Sequence, residues 1–304
     1  MRSNLILGDT AAAPIIAISN RFRCLLREET NCELHAEYSY YTPWMAIRAR
    51  RSELRNLISI PPSSGGPVLI RDFGALRIVA HACRGTHPLT AIVPHDIGAS
   101  ILLESDCLDE WAGSLSEAAE LAAGLVPWLG RLLHDMLTFV VPIRHRPDNL
   151  PTKRGFSTPL CFGAIFLTFE DRSLTAPTAI PELVVDLAHE LGHHALHTYQ
   201  TADPLFISDL RLPVYSGVKR FERPAIMALH ASAAIAYMVE MLYGLETLSS
   251  HSGQVLAWAR IKRQELIVHQ RQALSELRTK CAFTPVGERL IREFEEQLAS
   301  SSAS

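Results

Sequence analysis

The sequence predicts a mainly α-helical protein with a small β-sheet, an α+β fold. Long segments with helical spacing of apolar residues alternate with only two short apolar runs that suit strands. The chain has 304 residues, 48% hydrophobic and 20% charged, so it can bury a sizeable core. We therefore expect a single domain over residues 1–304. It would comprise a largely helical part at 1–150, a central part at 151–250 and C-terminal helices at 251–299.

The first hundred residues give weak signals. Residues 1–42 carry no clear pattern, whereas residues 44–58 have the spacing of an amphipathic helix. That helix is predicted to end at the Pro- and Gly-rich stretch 61–67, the clearest loop in this half. Residues 68–82 fit a strand or a helix equally well, so their conformation stays open.

The next hundred residues give stronger signals. Residues 115–137 are rich in Ala and Leu and predict a long helix kinked at Pro127. Residues 138–143 suit a short strand, and a charged loop is expected at 144–154. The apolar and aromatic run 161–169 predicts a second strand, either buried or at a sheet edge.

The clearest helix covers residues 181–199, with Pro181 at its first position. One side of this helix is apolar. The other side carries Asp186, His189, Glu190, His193 and His197. Gly192, which costs a helix about 1 kcal/mol relative to alanine, indicates that another segment packs closely against the backbone.

Three further helices complete the chain. An Ala-rich helix at 225–245 follows Pro224 and contains His230. Amphipathic helices are predicted at 252–280 and 284–299.

Composition argues for a cytoplasmic protein without a nucleic-acid or membrane partner. The net charge is −3 and the pI is near 6.5, which gives no basic surface for nucleic acid. No apolar run is expected to reach the roughly 20 residues that cross a bilayer. The N-terminal residues lack the layout of a secretory signal, and the six cysteines form no CxxC pair.

The pattern His189-Glu190-Leu191-Gly192-His193 predicts a metal site. Residues four apart share a helical face, so His189 and His193 can bind one ion. Glu190 lies beside them and is near enough to reach a ligand on that ion. Asp186, on the same side, could accept the second N–H of a ligand imidazole. His194 and His197 are expected to be solvated or to stand behind the ligands.

The third protein ligand decides between classes of metalloenzyme. The metzincin pattern requires Gly and His where this chain has Leu196 and Tyr199, which argues against that class. A gluzincin would take a glutamate from a following helix, and Glu240 and Glu246 are available there. His230 is the other candidate. A lone histidine in an apolar helix is usually a core residue, but a metal site nearby that needs a further ligand favours its binding the metal.

A cation also lies near the predicted site. Arg223 precedes His230 by seven residues, so both would share a side if the helix extended back that far. A guanidinium and a helix N-terminus would then face an anion near the metal.

The order of features from residue 163 to His230 resembles the HExxH-type peptide-modification proteins. The matching residues are the HExxH helix, Asp203-Pro204-Leu205, Tyr215-Ser216, Arg223-Pro224 and His230. That family is associated with iron- and 2-oxoglutarate-dependent β-hydroxylation in natural-product pathways. Typical members carry Pro-Trp-Arg where this chain has Gly217-Val218-Lys219, and a Pro where it has Glu222. The chain therefore looks like a divergent member.

The resemblance implies a specific set of roles. His189, His193 and His230 would hold Fe(II), and Arg223 with Lys219 would bind the far carboxylate of 2-oxoglutarate. The substrate would be a free amino acid, a residue in a peptide or an amino acid bound to a carrier protein. As in zincin-like folds, the HExxH helix would lie beside an edge strand that receives an extended peptide.

Two other classes stay open on the sequence. In a zinc metallopeptidase or related hydrolase, Glu190 would be the general base that activates water. The HELGH core with Leu196-His197 also resembles the zinc peptidases of the ImmA/IrrE type. A metal-bound protein without catalytic activity is the third class.

Overall fold

The fold is mainly helical with small sheets, as the sequence predicts. The computed structural model describes residues 4–30, 70–73, 76–79, 99–101, 108–137, 139–145, 155–157, 163–168, 175–248 and 252–301. The helices in these ranges are α1 (Asp9–Thr30), α2 (Leu108–Leu125), α3 (Pro127–Met136), α4 (Ala179–Gln200), α5 (Ala225–Thr247), α6 (Gly253–Lys280) and α7 (Pro285–Ser301). The strands are β1 (Ile70–Phe73), β2 (Leu76–Val79), β3 (Ala99–Ile101), β4 (Phe139–His145), β5 (Gly155–Ser157), β6 (Ala164–Thr168), β7 (Pro213–Ser216) and β8 (Phe221–Pro224).

The chain forms two compact units that interleave along the sequence. The first comprises Met1–Ser19, Leu121–Leu132 and Ala176–Ser304. The second comprises Asn20–Glu120 and Leu133–Thr175. The predicted helix at 44–58 and the loop at 61–67 lie outside the described residues. The single-domain organisation stays a prediction.

The second unit contains a mixed six-stranded sheet with the order β1-β2-β4-β6-β5, and β3 also pairs with β4. The ambiguous segment 68–82 includes the antiparallel pair β1–β2. Strand β6 is fully buried and pairs on both sides, parallel to β4 and antiparallel to β5. The edge-strand prediction for this segment is therefore wrong, and the buried alternative is correct.

Two local predictions in the first half need correction, and one helix was not predicted. The helix predicted at 115–137 begins at Leu108, and it is divided at the predicted position, since α2 ends at Leu125 and α3 starts at Pro127. Strand β4 runs on to His145, into the predicted charged loop. Helix α1 was not predicted, since its internal Pro14 masks the helical pattern.

The first unit is built around the contact between α4 and α5. At Gly192 an added Cβ would lie 2.8 Å from the carbonyl oxygen of Ala233 and 2.8 Å from the Cα of Ala234. The close backbone approach predicted from Gly192 is thus confirmed. The fully buried Ala233 and Ala234 of α5 permit this approach because their side chains are small.

The N-terminal residues are fixed to the same unit by polar contacts. The Tyr199 hydroxyl donates to the Leu5 carbonyl, and the Tyr237 hydroxyl donates to the Ile6 carbonyl at 2.9 Å. The Glu293 carboxylate accepts the backbone N–H groups of Leu5 and Ile6. Residues 5 and 6 thus link the end of α4, where Tyr199 lies, to α5 and α7.

Helix α5 corrects one further expectation. Contrary to the expectation that no run reaches this length, α5 is long and apolar enough to cross a membrane, the one such helix among the described residues. However, 83% of its most apolar part is buried inside the protein, as in the core helix of a soluble protein.

Replacing Gly192 by alanine should destabilise the protein by about 1–3 kcal/mol, because the new methyl group meets backbone atoms that cannot move independently. Gly113→Ala is the matched control. Gly113 is exposed on α2, and a Cβ added there would meet nothing within 4 Å. That variant should therefore be up to about 1 kcal/mol more stable, because alanine has the higher helix propensity. Urea unfolding measures both changes, and equal stability of the two variants would contradict the close packing.

Candidate metal centre

All the histidines of the motif lie in the second half of α4. The helix begins at Ala179, two residues before the predicted start, so Pro181 occupies its third position. Pro181 still loses no helical bond there, because the first four N–H groups of a helix have no partner within it. The Thr178 hydroxyl donates to the Glu182 carboxylate at 3.1 Å and so ties down the first turn. The helix then runs without interruption to Gln200.

His189 and His193 converge as the spacing predicts. Their Nε2 atoms are 3.1 Å apart, and both side chains are partly buried. Two nitrogens bound to one ion at about 2.0–2.1 Å lie about 2.9–3.4 Å apart over the common coordination angles. The pair therefore fits two ligands of a single metal ion. Without metal, the same distance suits a hydrogen bond between one protonated and one unprotonated nitrogen.

Glu190 is buried beside the pair. Its side chain is only 3% exposed, and one carboxylate oxygen lies 3.8 Å from Nε2 of His189. A carboxylate at this position can hold or move a proton close to the ion site. Asp186 lies half-buried one turn earlier on the same helix. Its predicted contact with a ligand imidazole stays a prediction.

A second histidine pair adjoins the first. The His230 ring centroid lies 5.5 Å from that of His193 and 4.3 Å from that of His197. Nε2 of His230 contacts Oε1 of Gln200 at 3.0 Å, and Nδ1 of His197 contacts the same oxygen at 3.1 Å. His194 is also buried, so its predicted solvation is wrong.

Gln200 is the site residue that sequence reasoning missed. It follows His193 by seven residues and His197 by three, so helical spacing alone could have placed it on their side. Because its amide oxygen accepts from His230, Nε2 of that ring is turned toward Gln200. The described residues contain no three His, Cys, Asp or Glu side chains already arranged around one point. Ligation by His230 stays a prediction.

The two downstream glutamates have other partners. Glu240 accepts a hydrogen bond from the Gln297 amide at 2.7 Å. Glu246 forms a two-point ion pair with Arg263, at 2.6 and 3.0 Å. These contacts tie both carboxylates to α6 and α7, so neither is prepared to act as a gluzincin ligand.

Burial keeps the imidazoles of the site neutral. Burial, and to a smaller extent the nearby Lys219 ammonium, lower the pKa of His189 to about 4. Burial also lowers the pKa of His230 to about 3, with His194 adding to the effect. The pKa of His193 falls well below its usual value through burial and then through its four histidine neighbours. At pH 7 these rings are therefore unprotonated, which is the form that binds metal.

The metal-free protein should lose stability as the pH falls from about 6.5 toward 3. Unfolded imidazoles titrate near 6.5, whereas His189 and His230 titrate near 4 and 3 when folded. In this window the unfolded state binds more protons, so the stability that is present above pH 6.5 is lost on acidification. A shift of this size is worth on the order of 3 kcal/mol per group.

Urea unfolding of chelator-treated protein between pH 7 and about pH 4 measures this loss. His230→Asn should flatten the pH dependence. His134→Asn, at a side chain that is 73% exposed, should leave it unchanged. Equal pH slopes for His230→Asn and the wild type would contradict the neutral buried imidazole.

Lys219 and Arg223 lie in a two-stranded hairpin, β7–β8. Lys219 is half-buried in its turn and close enough to His189 to lower the pKa of that ring. Arg223 is in strand β8 and not on a backward extension of α5, so its predicted helical alignment with His230 is wrong. It pairs with Val214, which is fully buried. Since directly paired residues share a face of the sheet, Arg223 and Val214 are on the same side.

Contacts from α6 hold this hairpin in place. The Tyr215 hydroxyl lies 2.7 Å from Nδ1 of His269, and the Tyr215 N–H donates to Glu276 at 3.0 Å. An added Cβ at Gly217 would lie 2.6 Å from Ile235, so the turn also sits close against α5. The loop bearing Lys219 is therefore anchored from two helices.

Comparison of the chain with models of protein families and with curated proteins gave no match. The residues of α4 and its neighbours therefore carry the inference of function.

Proposed function

We propose that this protein is an Fe(II)- and 2-oxoglutarate-dependent oxygenase that hydroxylates an amino-acid residue in a natural-product pathway. The observation that carries the proposal is the convergence of the His189 and His193 Nε2 atoms, 3.1 Å apart in a partly buried setting. The nearness of His230, together with the separate partners of Glu240 and Glu246, supports a third histidine over a glutamate. The resemblance to the HExxH-type peptide-modification proteins agrees with this choice.

In this proposal the residues have distinct tasks. His189, His193 and His230 would hold Fe(II), which suits neutral imidazole ligands. Lys219 and Arg223 would bind the far carboxylate of 2-oxoglutarate. Bound iron and 2-oxoglutarate supply the oxidising chemistry, in which O2 and 2-oxoglutarate yield succinate, CO2 and a hydroxylated substrate. The burial of His194 and His230 among apolar helices, with His193 partly buried beside them, would limit the access of bulk water to the reacting atoms.

The second candidate is a zinc-dependent peptidase or hydrolase, favoured by Glu190. Its buried carboxylate lies 3.8 Å from His189, so it could take a proton from an attacking water. In the oxygenase, the same carboxylate would hold a proton or orient a ligand beside the metal. Both readings place a peptide or amino acid at the site.

The partners and the cellular location that we propose follow from the composition of the chain. The substrate would be a free amino acid, a residue in a peptide or one attached to a carrier protein. Neither nucleic acid nor membrane is proposed as a partner, and the location proposed is the cytoplasm. The apolar helix α5 fits this, since most of it is buried.

Two assays on the wild-type protein separate the candidates. Loaded with Fe(II) and mixed with 2-oxoglutarate without air, the oxygenase should develop the weak visible charge-transfer band of the chelate. In air it should release succinate slowly, even without its true substrate. Peptide cleavage by the zinc-loaded protein, with no chelate band on iron, would replace the oxygenase by the hydrolase. Metal binding with neither activity would favour a non-catalytic protein.

A further inference from the structure

Gln200 joins two histidines of the site through one atom. Its Oε1 lies 3.0 Å from Nε2 of His230 and 3.1 Å from Nδ1 of His197. Gln200 is the last residue of α4, and His230 is in the second turn of α5. The amide therefore connects the HExxH helix to the helix that supplies the candidate third ligand.

We propose that Gln200 is a positioning residue that fixes the tautomer and orientation of His230, so that this ring binds the metal through Nδ1. An amide oxygen has two lone pairs and can accept one N–H from each ring. If Nε2 of His230 carries the proton that Gln200 accepts, Nδ1 keeps the free lone pair that a metal requires. The inference rests on the proposed metal site but not on the reaction performed there.

The buried setting makes this bond consequential. His230 is only 5% exposed, so water does not readily replace a lost partner of its ring nitrogen. Hydrogen bonds to the second nitrogen of a ligand histidine generally orient the ring and raise its basicity. Gln200 would do this for a ring whose centroid is 5.5 Å from that of His193.

The shared oxygen also couples two tautomers. With the oxygen facing both rings, His230 is protonated on Nε2 and His197 on Nδ1. An amide turned by 180° would present its NH2 group and require the reverse tautomer in both rings. The two histidines should therefore show opposite tautomers, and the pair as a whole reports the direction of the amide.

Long-range 1H–15N correlation spectra of the metal-free, full-length protein test the first step. His230→Asn and His197→Asn variants assign the two rings. We expect a protonated Nε2 on His230 and a protonated Nδ1 on His197. The reverse pair of tautomers, or a mixture on His230, would overturn the proposal.

Zn²⁺ affinity, measured by competition with a chelating dye, tests the second step. Gln200→Leu should raise the Kd for Zn²⁺ about 10–100-fold and release the His230 tautomer. Gln200→Glu keeps an acceptor oxygen and should retain both the tautomer and tight binding. Unchanged affinity in Gln200→Leu, or an equal loss in both variants, would overturn the role of the hydrogen bond. If Gln200→Leu fails to fold, the wild-type tautomers and Gln200→Glu decide.

The histidine tautomers and the Zn²⁺ affinities do not depend on which reaction the protein catalyses. A protein with the expected tautomers and Zn²⁺ affinities, but without 2-oxoglutarate turnover, would overturn the oxygenase and leave the role of Gln200 intact. Conversely, an active oxygenase with the reverse tautomers would overturn the role of Gln200 alone.

Discussion

Replacing either His189 or His193 by alanine is expected to abolish stable metal binding. The wild type should hold about one metal ion per chain, because one pair of converging Nε2 atoms defines one position. Removing either ligand leaves a single motif histidine, and we expect at least a hundredfold loss of affinity, or about 2.7 kcal/mol or more. Elemental analysis of desalted protein gives the metal content directly.

Two controls make this result specific. His134→Ala removes an exposed histidine on α3 and should leave the metal content unchanged. Circular dichroism spectra should show that both site variants keep their helices. Equal metal content in His189→Ala, His193→Ala and the wild type would rule out the proposed centre.

The third ligand is tested by the same measurement. His230→Ala should lower the metal affinity, whereas Glu240→Gln should not, since Glu240 is hydrogen-bonded to Gln297. Loss of metal in Glu240→Gln with retention in His230→Ala would favour a gluzincin site and hence the hydrolase.

Local patterns sufficed for the parts of the site that lie within one helix. His189 and His193 converge because the four-residue spacing is a property of any helix. The close approach at Gly192 was also predictable, since a glycine inside a helix needs a packing reason. The start of α5 after Pro224 follows equally from local chemistry.

Features that depend on pairing between distant segments were not predictable in this way. The neighbours of β6 are set by contacts with β4 and β5, which no pattern within residues 161–169 encodes. Arg223 falls in a strand because the hairpin turns at residues 217–220, where Arg220 adopts a φ of 63° that few residues other than glycine favour. A helical projection back from His230 could not detect that change.

Gln200 illustrates the remaining gap. Helical spacing puts it on the side of His193 and His197, but its role emerges only from its contact with His230, thirty residues later in the chain. Sequence motifs record the ligands of a metal. The groups that orient those ligands come from whichever segment the fold brings alongside.

Removing the cations of the β7–β8 hairpin should weaken 2-oxoglutarate binding while leaving iron bound. Lys219 is close enough to His189 to depress the pKa of that ring, so we expect its ammonium to reach the far end of a dicarboxylate bound beside the metal. Arg223 is half-buried on the same face as Val214 and offers the planar fork that carboxylates prefer.

A charge pair of this kind, shielded from water, is worth on the order of 2–5 kcal/mol. Arg223→Ala and Lys219→Ala should therefore each raise the Kd for 2-oxoglutarate by more than tenfold. Titrating the Fe(II)-loaded protein and following the charge-transfer band gives the Kd, and the iron content of the same samples shows whether the metal site is intact. The iron should stay, because in the proposed site the guanidinium and ammonium would contact the far carboxylate and not the metal.

Arg220→Ala is the matched control, since Arg220 belongs to the same turn, is exposed and pairs with Glu265 on α6. It removes a positive charge from the hairpin at a site directed to solvent, where an ion pair contributes little. A Kd unchanged in Arg220→Ala but raised in the other two variants would assign the effect to position and not to net charge. If all three variants bind 2-oxoglutarate like the wild type, the hairpin does not hold a dicarboxylate. If all three weaken equally, the hairpin attracts the anion only through its total charge, and the cosubstrate has no dedicated partner in this loop.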